Sequence, residues 1–169
     1  MRMMTLIALL AFQLLCAIPP AYAADRDPFA DGSMRLSVLV GNGYAFDESY
    51  IVVGVGFGYY FMRGLELGLD IESWLGASPG VTKISPAVRY VVPTNSPIRP
   101  YIGAFYRRTM IDNYDDLDSV GGRAGIYFMS GRGSYFGAGV VYEQYLSCDE
   151  AVYKSCSDTY PEIIFAIAF

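Results

Sequence analysis

The 169 residues suffice for one domain, and their 53% hydrophobic content contains, beyond the N-terminus, no run of about 20 apolar residues that a membrane helix requires. The balance of 12 Lys+Arg against 17 Asp+Glu excludes a phosphate-backbone partner, because nucleic-acid binding needs clustered positive charge. The absence of histidine excludes Ser-His catalysis and His-ligated metal sites.

In chain order, residues 1–23 read as a secretory signal. Arg2 gives the positive start, 6–18 the apolar stretch, and Ala21-Tyr22-Ala23 the small-x-small cleavage site. Removing it takes Arg2 away, so 12 basic residues become 11 against 17 acidic ones, a net charge of −6. Residues 24–31 are expected to form a short segment ahead of a domain spanning 32–169.

That domain divides into eight segments of period 2, at 33–41, 49–61, 65–75, 81–92, 98–110, 119–129, 134–146 and 159–169. Side chains alternate between the two faces of a strand. In the third segment Leu65, Leu67, Leu69 and Ile71 lie opposite Glu66, Gly68, Asp70 and Glu72. In the fifth, Ile98, Pro100, Ile102, Ala104 and Tyr106 lie opposite Arg99, Tyr101, Gly103, Phe105 and Arg107. In the eighth, Pro161, Ile163, Phe165, Ile167 and Phe169 share one face. No helical period competes with this pattern. The connections at 62–64, 93–97 and 130–133 are tight turns by residue type. Those at 42–48, 76–80, 111–118 and 147–158 are mostly longer and acidic. Short turns at one rim and longer loops at the other define an all-β, eight-stranded, antiparallel, up-and-down barrel.

The period alone also fits a soluble, lipocalin-like ligand-binding barrel, in which the apolar face points inward. Three features favour a membrane barrel. Tyr59, Phe61, Tyr90, Phe128 and Phe169 collect at the short-turn ends, as an interfacial girdle does. The polar face is rich in Gly and poor in Lys, and the sequence closes on Phe169 without a polar tail.

Val53-Gly-Val-Gly-Phe-Gly-Tyr-Tyr-Phe61, Arg99-Pro-Tyr-Ile-Gly-Ala-Phe105 and Ile163-Ile-Phe-Ala-Ile-Ala-Phe169 resemble strands of the eight-stranded bacterial outer-membrane β-barrel superfamily, which includes the OmpA transmembrane domain, OmpX and OmpW. The likeness covers nearly all of the chain after the signal. It implies a Gram-negative outer membrane, with outer-membrane lipids and lipopolysaccharide as surroundings. It also implies that the barrel-assembly machinery reads the closing strand through Phe165, Ile167 and Phe169. No peptidoglycan-binding domain is expected after Phe169, and the long loops of adhesins are missing.

The inward face gathers Arg35, Lys83, Arg89, Arg99, Arg107 and Arg123 with Glu66, Asp70, Glu72, Glu143 and Glu162. An eight-stranded barrel is just wide enough for side chains to fill, and buried charges need partners. These residues are therefore expected to interlock as an ionic plug, with glycines making room for Arg and Tyr. The expected role is structural or interactional: envelope integrity, lipopolysaccharide or surface contact. The alternative is a narrow, OmpW-like conduit for small molecules. No enzyme constellation, cofactor or metal set is marked.

In the last loop Cys148 and Cys156 are expected to pair, since a secreted chain meets an oxidising compartment. Arg108 faces outward near the long-loop rim and is a candidate contact for a lipopolysaccharide phosphate. Tyr44, Phe46, Tyr114 and Tyr153 either anchor a surface partner or pack the loop bases.

Overall fold

The computed structural model describes residues 27–45, 48–131, 133–146, 148 and 156–169; the side chains of 42–45 fall outside that description. The expected signal segment lies outside it too.

The eight strands are β1 (Met34–Ala45), β2 (Glu48–Met62), β3 (Leu65–Leu75), β4 (Val81–Val91), β5 (Ile98–Ile111), β6 (Leu117–Met129), β7 (Ser134–Tyr145) and β8 (Ser157–Ala168). Each pairs antiparallel with its sequence neighbour, and β1 pairs with β8 to close the barrel. Among the described residues no helix is long and apolar enough to cross a membrane.

The alternation read from the sequence orients every strand. In β2, Ile51, Val53, Val55, Phe57, Tyr59 and Phe61 are exposed while Val52, Gly54, Gly56, Gly58 and Tyr60 are buried. Phe165 is 59% exposed and Ile102 61%, whereas Arg35 and Glu66 are 1% exposed. A surface this apolar and continuous is matched by acyl chains and not by water. The soluble-barrel alternative needs the opposite arrangement and is overturned by it.

One boundary differs clearly from expectation. Residues 42–45, read as loop, continue the β1–β2 ladder from Asn42↔Ile51 to Ala45↔Glu48. Asn42 and the flanking glycines signal a turn locally, but β2 supplies a paired edge that overrides this preference. The turn between β2 and β3 shows glycine used for close approach. Gly64 has φ +80°, and a Cβ there would lie 2.3 Å from the Val91 carbonyl oxygen; only glycine fits both conditions.

Besides a register shift between Tyr60 and Met62 in the β2–β3 ladder, two ladders are interrupted, and a proline marks each. Between β4 and β5 the register omits Ser85 and Pro86. Val92 donates to Pro100 across this seam while Val91 donates to Gly64 on the other side. Hydrogen-bonding direction alternates along a strand, so Pro86, in step with Val92, turns its donorless nitrogen toward β5. The second interruption is larger. β1 and β8 pair only from Arg35↔Ala168 to Leu39↔Ile164, although β1 continues to Ala45 and β8 begins at Ser157. The long-loop half of that seam is unpaired.

Candidate functional site in the barrel lumen

Three tiers of side chains fill the lumen from the short-turn rim inward. The first is aromatic. Residues 27–33 turn into the mouth of the barrel and pin there through the backbone. Gly64 N donates to Phe29 O (2.8 Å), Gly32 N to Tyr60 O (2.7 Å) and Tyr60 N to Ser33 O (2.9 Å). Phe29 is fully buried, with ring centroids 5.7 Å from Tyr60, 5.8 Å from Tyr127 and 4.9 Å from Tyr135. Tyr101 stacks on Tyr127 at 4.3 Å. Below them, Asp27 accepts from Arg99 (2.8 Å) and Arg63 (3.2 Å). Burial pushes the Asp27 carboxyl up, but bonds from Arg99, the Phe29 amide and Arg63 outweigh it and hold the group below its usual value.

The second tier is ionic. Arg35 grips Glu66 in two-point geometry, Nε to Oε2 at 2.9 Å and Nη2 to Oε1 at 3.0 Å. Arg89 donates to the same Glu66 Oε1 at 3.0 Å. Asp70 lies 3.3 Å from Arg35, 3.7 Å from Arg89 and 3.1 Å from Arg123. Arg123 reaches Glu162 at 3.4 Å, and the Tyr101 hydroxyl donates to the same carboxylate at 2.9 Å. Three cations thus meet three anions across the barrel. The glycines expected to make room do so here: a Cβ on Gly56 would fall 2.2 Å from Asp70 Oδ1, and one on Gly58 2.5 Å from Glu66 Cδ.

The third tier centres on Arg107. It donates to Ser85 (2.8 Å), Glu143 (2.7 Å) and Glu72 (2.9 Å), and also to Tyr160. Glu143 accepts further bonds from Ser119 and from Tyr160 (3.0 Å). The Phe105 ring bridges the tiers, 4.7 Å from the Arg107 guanidinium and 5.0 Å from that of Arg123.

Nine of the eleven ionic residues singled out from sequence therefore sit in these two tiers. Two do not. Arg99 lies at the rim and pairs with Asp27, because its strand begins at Ile98. Lys83 is buried in the long-loop half, with Nζ 4.5 Å from the Trp74 ring, and forms no ion pair among the described residues. Parity placed Tyr101 of the aromatic tier inward from sequence, but Phe29 was missed, since residues 24–31 carry no periodicity. Phe29, the one large apolar residue between Asp27 and Asp31, was the available signal.

Arg108 projects outward and is half exposed, with Asp116 at 2.7 Å and Asp118 at 3.5 Å. Phe165 on β8 and Phe169 just beyond it are exposed, and Ile167 is partly buried. Phe169 exchanges backbone bonds with Met34 at 2.9 and 3.0 Å. Cys148 and Cys156 form a disulfide with Cα atoms 5.5 Å apart. The side chains of Tyr44, Phe46 and Tyr153 lie outside the described residues.

A closed eight-stranded barrel, apolar outside and ionic within, is the architecture of the small outer-membrane β-barrels. Solved structures agree. The N-terminal β-barrel domain of Pseudomonas aeruginosa OprF superposes with a TM-score of 0.63 at 15% identity, covering 82% of this chain and 98% of that one. Neisserial surface protein A superposes at 0.55 and 15% identity, covering 80% and 94%. OprG from Pseudomonas aeruginosa does so at 0.51 and 14%, covering 83% and 97%. No family model and no curated protein matches the chain in sequence. The likeness is therefore one of fold: an eight-stranded, antiparallel transmembrane β-barrel of the outer-membrane type.

Proposed function

We propose that the protein is a structural component of the outer membrane, a lipid-embedded peg whose lumen is closed and whose loops face the cell exterior. The observation that carries this reading is the ionic tier of Arg35, Glu66, Arg89, Asp70, Arg123 and Glu162. Its members leave no free charge in the tier and share carboxylates between strands on different sides of the barrel. A conduit presents charges to passing solute; here the charges face one another. The aromatic tier around Phe29 supports closure from the periplasmic side. The absence of histidine and of a paired catalytic motif supports a non-enzymatic role.

Within this reading the partners are outer-membrane lipids and the barrel-assembly machinery, the latter through Phe165, Ile167 and Phe169. Arg108 contributes to lipopolysaccharide contact jointly with Asp116 and Asp118, as a charged rim and not as a lone cation. The test is genetic and biochemical. Deletion of the gene is expected to make cells sensitive to detergents and large antibiotics, and the wild-type gene should restore resistance. A deletion that leaves this barrier intact but slows uptake of a small solute contradicts the structural role and favours the conduit. Lipopolysaccharide co-purifying with the wild type, and depleted with Arg108→Ala, supports the rim contact; equal retention rejects it.

The conduit reading has one observation in its favour, a cavity of about 540 Å³ above the ionic tiers. It ends on Arg107 and Glu72, part of the third tier.

A further inference from the structure

The same cavity has a second feature, independent of whether the lumen conducts: it lies against the unpaired half of the β1/β8 seam. Its lining includes Val40, Gly41, Pro161 and Ile163 beside the luminal Lys83 and Trp74. Val40 and Ile163 are exposed on the outer surface. The chamber therefore communicates sideways with the space occupied by lipid, through the barrel wall.

The sequence dictates this gap. Met34 and Phe169 exchange two backbone bonds, which sets the register and makes every second pair a bonded one. Extended outward, that register places Val40 opposite Ile163 and Asn42 opposite Pro161, both at bonded positions. Pro161 has no N–H to give. On its other side it sits opposite Val140 within the β7–β8 ladder, where its nitrogen is not called upon. A proline whose nitrogen faces only β1 leaves one side of that ladder whole and weakens the other. The unpaired stretch of β1 and β8 is about 20 Å long. Its inner end, at Val40 and Pro161, lies level with the exposed Val53 and Val140, within the apolar band. Open backbone at that depth is tolerated only where it lines a cavity.

The chamber's chemistry sets what it takes. Its lining acids are already engaged: Glu72 by Arg107, Asp158 by Tyr145, and Glu162 by Arg123 and Tyr101. Its unengaged groups are donors. Lys83, 6% exposed, has no ion pair among the described residues. The Trp74 indole N–H beneath it has no hydrogen-bond partner. Around them stand Leu39, Val52 and Val141. Buried donors without acceptors, with an apolar exit to the membrane, fit one class of molecule. We propose that the outer half of the lumen binds a single-chain amphiphile with an anionic head. The head is held by Lys83 and Trp74, and the chain leaves through the β1/β8 gap beside Pro161.

Trp74 is the single tryptophan of the chain, so its fluorescence reports on this chamber alone. The full protein in phosphatidylcholine nanodiscs is titrated with nitroxide-labelled dodecanoate. Saturable quenching is expected, reversed by unlabelled dodecanoate or dodecyl phosphate and not by dodecanol. The stronger of the two acidic competitors identifies the head as carboxylate or phosphate. Lys83→Gln, checked for folding by its heat-shifting gel band, is expected to weaken binding about tenfold, the loss of one charge-assisted bond. Pro161→Val restores a donor opposite Asn42. It is expected to protect the β1/β8 amides from exchange and to reduce binding. Quenching linear in probe, equal competition by dodecanol, or unchanged affinity in folded Lys83→Gln overturns the site. Unchanged binding in a Pro161→Val protein whose seam has become protected overturns the lateral route.

Discussion

At the scale of single residues, the interior is decided by which polar groups have partners. Glu66 accepts from both Arg35 and Arg89 and is 1% exposed. Glu66→Ala leaves two buried guanidinium groups with Asp70 alone as carboxylate partner, and removing one partner of a buried ion pair costs about 3–5 kcal/mol. A corresponding fall in the urea midpoint of the refolded barrel is expected; an unchanged midpoint means the tier is not formed. Arg108→Ala, at a half-exposed rim pair, should leave that midpoint where it is, because solvent-screened pairs contribute little. Asp27 gives the pH dependence. Its folded-state pKa lies below its unfolded value, so its contribution is present in full above about 4, the unfolded value, and is lost as pH falls through the folded value. Amides of residues 29–33 should therefore exchange faster on acidification. In Asp27→Asn they should exchange fast at every pH.

At the scale of elements, alternation carries most of the information and prolines carry the rest. Inward and outward faces were legible because a period of 2 admits only two assignments, and the girdle and glycine content chose between them. What alternation cannot show is which of two neighbours a backbone nitrogen addresses. Pro161 therefore reads as one more member of the outward face of β8. Its effect on the β1 seam emerges only once Met34 and Phe169 fix the register. Arg99 was grouped with the luminal charges by parity, but it lies at the rim beside Asp27, 72 positions away in the chain. Lys83 was grouped with the arginines by charge, although its neighbour at close range is Trp74. The seam itself is testable without ligand. In β1, the amides of 40, 42 and 44, which face β8, should exchange faster than those of 36 and 38, whereas equal protection at these positions means the seam is zipped.

At the scale of the whole molecule, two requirements act together. Lipid demands a closed ring of strands with apolar exteriors, and a ring of eight leaves an interior narrow enough for side chains to fill. Filling it with arginine and carboxylate gives each strand partners on other strands, so the tiers hold the wall together while they block it. The glycines follow from the same constraint. Gly58→Leu would thrust a side chain into the Glu66 carboxylate and is expected to prevent the folded, heat-shifting band from forming. The 540 Å³ chamber is confined to the outer half, so a molecule bound there does not imply passage to the periplasm. The most direct test of a closed lumen is single-protein conductance in a planar bilayer. Silence is expected from the wild type, with conductance steps appearing only when Phe29→Ala and Glu66→Ala are combined; reproducible steps from the unaltered protein would contradict it.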